Sequence, residues 1–147
     1  MASLAPGKPV RARMGWRGAA AIAWLALWVL GIADAQAVDE VLRTRYGFKT
    51  KVLTNATRAD ILTAINDYRA LLKSDDSFLI YYAGHGSRLR SGDRETGYWL
   101  PVNADPPPTD TFWVATEQVT GHLARLPARR VLVVADSCYA GLLSDDP

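Results

Sequence analysis

Two short apolar runs most constrain what this chain can fold into: Phe78-Leu79-Ile80-Tyr81-Tyr82 and Val131-Leu132-Val133-Val134-Ala135. Each is strand-sized and lacks the apolar-polar alternation of a half-exposed strand. Each predicts a strand buried on both faces, as in parallel sheets. Helical patterns separate them. Val38, Val41, Leu42 and Tyr46 fall on one helical face that ends at Gly47, and Phe48 to Leu53 predicts a short strand. Thr57 and Asp60 stand at the spacing of a capping box, ahead of the stripe Ile61, Leu62, Ile65, Tyr68 and Leu72. Thr116 to Leu126 predicts a third helix, stopped by Pro127. Residues 87–97 read as a polar loop, Tyr98-Trp99-Leu100 as a short strand, and Pro106-Pro107-Pro108 as an extended surface connection. Strands alternating with helices imply βαβ units: an α/β fold with a mostly parallel sheet flanked by helices.

In such sheets the ligand crevice lies beyond the carboxyl ends of the strands. The first run leads into Ala83-Gly84-His85-Gly86, the second into Asp136-Ser137-Cys138-Tyr139-Ala140-Gly141. His85 and Cys138 each follow their run by three residues, so two parallel strands would bring both to one rim. A cysteine attacks as thiolate, and an imidazole beside it can take the thiol proton and later protonate a leaving amine. Glycine allows close backbone approach. The backbone amides of Gly86 and Cys138 are the natural donors to an oxyanion. Alone, a cysteine is ordinarily a small buried hydrophobe and a histidine a structural hydrogen-bonder. Their joint placement at equivalent strand ends favours the nucleophilic pair.

Composition narrows the alternatives. The chain has 147 residues, enough for one domain, with 49% hydrophobic and 22% charged residues, as in ordinary globular proteins. Its net charge is +2, but residues 1–32 carry +4 and the remainder is slightly acidic. A basic nucleic-acid-binding face is therefore not supported. Cys138 is the single cysteine, which excludes a disulfide framework and a Cys-based zinc site within one chain. Residues 19–33 carry no charge and follow Lys8, Arg11, Arg13 and Arg17. Two readings are open: a secretory leader with Ala35-Gln36-Ala37 as its cleavage triplet, or a buried core element. The run is shorter than the about 20 residues of a membrane span.

Together, Tyr81-Tyr82-Ala83-Gly84-His85-Gly86 and Asp136-Ser137-Cys138-Tyr139-Ala140-Gly141 resemble the bacterial caspase-like and metacaspase group of cysteine peptidases. The 53-residue separation of His85 and Cys138 is similar to that of caspase-type enzymes. Tyr98-Trp99-Leu100-Pro101-Val102-Asn103-Ala104-Asp105 and the stretch from Val38 to Asn55 also look like that group. The resemblance covers about Asp34 to Leu143. It implies a caspase-hemoglobinase fold and a cysteine endopeptidase, with His85 as general base and acid and Cys138 as nucleophile. No metal or cofactor is called for in the covalent step, and the expected partner is a peptide or protein substrate. Asp136 stands where the group has an acid lining the pocket for the residue before the scissile bond, which implies cleavage after Arg or Lys. Asp136 as a loop cap is the competing role.

Two departures from the group bear on organisation. Its first apolar strand and following loop are not recognisable here, and residues 1–32 stand in their place; residues 1–33 are set apart as an apolar segment, either signal-like or unrelated to the group, with the partial catalytic domain at 34–147. Cutting after Ala37 would fall inside the first helix, so the resemblance weighs against a leader, and a cytoplasmic location is favoured over export or anchoring. The chain also ends nine residues after Cys138, which predicts an incomplete fold, an exposed sheet edge and weak activity for these 147 residues alone. A catalytically inactive interaction module is the alternative function. Among the remaining candidates, His122 reads as a surface residue, Asn55-Ala56-Thr57 as a helix cap rather than a glycosylation site, Asp105 as a loop or turn residue, and Asp93 and Glu95 as solvated.

Overall fold

The computed structural model describes residues 22–28 and 32–138, with side chains from Ala35 onward. The strands are β1 (Ile22–Trp28), β2 (Lys49–Thr54), β3 (Ser77–Ala83), β4 (His85–Ser91), β5 (Arg94–Leu100), β6 (Val114–Ala115) and β7 (Arg130–Asp136). The helices are α1 (Ile32–Tyr46), α2 (Arg58–Leu71) and α3 (Thr116–Leu123). Strands β2, β1, β3 and β7, in that order, form a parallel sheet. Strands β4, β5 and β6 form a small antiparallel sheet.

Strand β3 is buried at five of its seven positions and half-buried at Leu79 and Tyr81, in keeping with its continuous apolar run. Alternation sends its side chains to two cores. Phe78, Ile80 and Tyr82 pack with Ile61, Ala64, Ile65 and Tyr68 of α2 and with Val119 and Leu123 of α3. Leu79, Tyr81 and Ala83 share the other core with Ala35, Val38 and Leu42 of α1. Fully burying a side chain such as Ile61, Ile65 or Ile80 contributes roughly 1.5–3 kcal/mol. Val41 and Tyr46, expected on the packed face of α1, are exposed. The stripe that packs is Ala35, Val38 and Leu42, and Val41 lies about a quarter-turn off it.

Residues 22–28 join the sheet, and two further expectations are corrected. Within the uncharged run at 19–33, residues 22–28 form β1, which pairs with both β2 and β3. The sheet therefore includes a strand, Ile22–Trp28, that lies upstream of residue 34. The polar loop at 87–97 is instead the β4–β5 hairpin, turning at Gly92 with φ +63°. Over residues 87–97 its strands are largely polar, so no hydrophobic period announces them, while Tyr98-Trp99-Leu100, expected as a short strand, forms the end of β5. Strand β7 is not buried on both faces: Val131, Leu132 and Val134 are exposed and Val133 packs on the core. Its apolar side chains encode a strand, but among the described residues it stands at the sheet edge.

Candidate active site

The site is set by the pairing of β3 with β7. Ala83 lies opposite Asp136 in a parallel register, so His85 and Cys138 each stand two residues beyond the same rung. The Gly84 amide donates to the Asp136 carbonyl at 3.3 Å and carries the pairing past the strand ends. Both candidate side chains are exposed, His85 at the first residue of β4 and Cys138 in the turn after β7.

Gly86 lies directly against the Cys138 backbone. A Cβ there would overlap the Cys138 carbonyl and come within 3.3 Å of Ser137 Oγ. Only glycine lets the backbone after His85 lie this near the cysteine. Gly84 is constrained in the same way, because a Cβ would lie 2.7 Å from the Tyr82 hydroxyl. The loops are thus brought together backbone to backbone. No hydrogen bond joins the His85 imidazole to the Cys138 thiol among the described residues, and such bonds often tighten only with substrate in place.

Asp136 is exposed, and its carboxylate accepts from the Tyr81 hydroxyl at 3.3 Å. Its backbone carbonyl serves the loop contact with Gly84; its side chain is not what bonds that amide. Asp105 accepts the Trp113 indole N–H through its carbonyl at 2.8 Å and borders the groove beside His85. His122 lies on α3 with Nδ1 3.2 Å from Asn66 Oδ1, and partial burial, then Arg125 and Arg69, push its pKa down. Thr57 caps α2, as its spacing predicts. Glu95 is paired with Arg88 at 2.7 Å across the hairpin, while Asp93 is exposed.

The supporting groups were not singled out from sequence. The Tyr82 hydroxyl donates to the His85 carbonyl at 2.6 Å and accepts from the Leu100 amide at 3.2 Å, tying the start of β4 and the end of β5 to β3. Its ring stacks on Trp99, with centroids 4.4 Å apart and planes at 6°. Arg58, at the first turn of α2, reaches the Thr111 carbonyl at 2.6 Å and Gln118 Oε1 at 3.2 Å, while its amide donates to Asn103 Oδ1 at 3.1 Å. The Tyr82–Leu100 contact spans 18 residues and Arg58 reaches across 45 to 60, separations that leave no periodic trace.

With this geometry in place, comparison with known proteins is informative. The caspase domain family profile matches residues 31–147. Metacaspase-7 of Arabidopsis thaliana is 27% identical over 131 aligned residues, which cover 78% of this chain and 31% of that protein. Metacaspase-1B of Aspergillus fumigatus is 26% identical over 140, covering 79% and 32%. Metacaspase-1 of Cryptococcus neoformans is 30% identical over 130, covering 79% and 28%. The chain thus spans about a third of the length of these curated relatives. A crystal structure of a Geobacter sulfurreducens protein superposes with a TM-score of 0.60 at 24% identity, over 81% of this chain and 50% of that one, and shares its fold.

Proposed function

On the premise that this chain belongs to the caspase-domain family of cysteine peptidases, we propose that it carries the catalytic pair of an endopeptidase that cuts after Arg or Lys. The observation that carries the proposal is the equal offset of His85 and Cys138 from one rung of a parallel sheet, with Gly86 against Cys138. In this reading the His85 imidazole takes the Cys138 thiol proton, and Sγ bonds to the scissile carbonyl carbon. The electron pair moves to the carbonyl oxygen, which the Gly86 and Cys138 amides receive; such a donor is worth about 3–4 kcal/mol. Collapse breaks the C–N bond, and the imidazolium gives its proton to the departing amine. Water, deprotonated by the imidazole, then cleaves the thioester and the proton returns to sulfur. Every step is a proton transfer or acyl transfer, and none needs a redox partner.

Asp136 supports the specificity part of the proposal. Its carboxylate sits two residues before the nucleophile and would attract a cationic side chain and repel an acidic one. The test compares peptides ending in Arg, Lys and Asp before the reporter, together with iodoacetamide labelling of Cys138 at pH 6. We expect cleavage of the Arg and Lys peptides, loss of cleavage in Cys138→Ala, and labelling that slows at least tenfold in His85→Ala. Cleavage that survives Cys138→Ala ends the proposal. Labelling no faster than a free thiol and indifferent to His85 favours an inactive interaction module instead.

A further inference from the structure

A groove of about 360 Å³ opens beside His85, between the start of β4 and the connection from β5 to β6. Leu100, Val102, Pro106, Pro107 and Trp113 supply its apolar walls. Ser87 and Asp105 bring its polar atoms. The volume lies within the range of roughly 300–1,000 Å³ typical of ligand pockets. The walls are fixed before any ligand arrives. The Trp113 indole is held by the Asp105 carbonyl at 2.8 Å, and its ring meets Tyr98 edge-on with centroids 5.5 Å apart. The Val102 amide donates to the Ala56 carbonyl at 3.1 Å, and Arg58 pins the same connection at Asn103 and Thr111. Such preorganisation lowers the ordering cost of binding.

Geometry decides which part of a substrate this groove can take. Gly86 faces Cys138, whereas His85 borders the groove, and neither Asp136, Ser137 nor Cys138 contributes to its lining. In the acyl transfer proposed above, the reacting carbonyl sits over Cys138 and the departing nitrogen must lie within reach of the imidazole that protonates it. The chain that leaves on that nitrogen starts at His85 and runs away from Cys138. We infer that the groove seats the residue following the scissile bond, and that this residue is apolar. The inference rests on the Cys138–His85 reading and extends it to the leaving side of the substrate. Leucine- or phenylalanine-sized side chains match the walls, and the Asp105 carboxylate disfavours an acidic one by like-charge repulsion.

The experiment uses the full chain with Cys138→Ala, so binding is read without turnover. A peptide carrying Arg followed by p-benzoylphenylalanine is irradiated on the protein and the adduct mapped by mass spectrometry. Adducts within residues 100–113 are expected, competed at least tenfold better by an Arg-Leu peptide than by Arg-Asp. Adducts elsewhere, or none, overturn the inference. Val102→Asp is the companion variant, because Val102 is half exposed and its amide bond survives the change. It should lower adduct yield at least fivefold with an unchanged melting curve, and an unchanged yield counts against the groove. Failure of the catalytic reading is scored separately in the unmodified chain. No cleavage of Arg peptides and no Cys138 labelling by an arginyl acyloxymethyl ketone, with adducts still in 100–113, would leave a peptide groove but overturn its assignment to the leaving chain.

Discussion

At the residue scale, one hydroxyl joins the candidate site to the sheet beneath it. Tyr82 is fully buried, and burial pushes its phenol well above the ordinary range, so it stays neutral and keeps its proton to donate to His85. Removing the hydroxyl would leave the Leu100 amide without that acceptor while preserving the ring stack on Trp99. Tyr82→Phe should therefore cost about 1–3 kcal/mol in urea unfolding. Because the lost bond is to the backbone of His85, we expect kcat to fall severalfold with KM nearly unchanged. Equal losses in a variant destabilised to the same degree elsewhere would show that Tyr82 only stabilises the fold. His85 and Cys138 could be placed from sequence because each is a fixed count from an apolar run. Tyr82 could not be separated from the other members of its run, because its role depends on Leu100 and Trp99 arriving from a later hairpin.

At the scale of single elements, α2 is the best-specified piece. Thr57 Oγ1 accepts from the Asp60 amide at 3.2 Å, and the Asp60 carboxylate accepts from the Thr57 amide at 2.9 Å. The Thr57 hydroxyl also donates to that carboxylate, and these bonds, side chain first, hold the Asp60 carboxyl below the usual range. Thr57→Ala is expected to cost about 1 kcal/mol, read as a lower denaturation midpoint. The acid behaviour has a definite sign. A carboxyl whose pKa is depressed by folding adds stability that is present above its unfolded value, ordinarily near 4, and is lost as pH falls through the folded one. Thr57→Ala should flatten that part of the acid limb, and an acid limb identical to that of the unsubstituted chain would contradict the role given to the box. The cap is local, three residues apart, so it was legible in sequence. The β4–β5 hairpin was not, since its register rests on backbone pairing and on pairs such as Arg88–Glu95 rather than on apolar alternation.

On the scale of the whole molecule, the β7 edge is the exposed weakness. Val131, Leu132 and Val134 show 37%, 54% and 38% of their surface, so among the described residues an apolar strand lies open at the sheet margin. Such edges template pairing with other chains, and a lysine there opposes it. Leu132→Lys should raise the protein concentration at which light scattering appears while shifting unfolding stability by no more than about 0.5 kcal/mol, as for most surface changes. Scattering that is unchanged would locate self-association elsewhere. The turn that follows this strand carries Cys138, so the edge and the proposed nucleophile are near neighbours in the chain.

By itself the sequence determined the α/β class, the two apolar strands, the capped second helix and the equal offset of His85 and Cys138 from those strands, because each is written in near neighbours or in a count from a strand end. The family to which the chain belongs was legible for the same reason, through two compact motifs. Only the tertiary structure decided that residues 22–28 are a strand between β2 and β3, that β7 is an edge among the described residues, and that Tyr82, Arg58 and the 100–113 connection build the surroundings of His85. An uncharged run does not say which neighbours will cover it, and a hydrogen bond across 18 or 53 residues exists only once the chain has closed on itself.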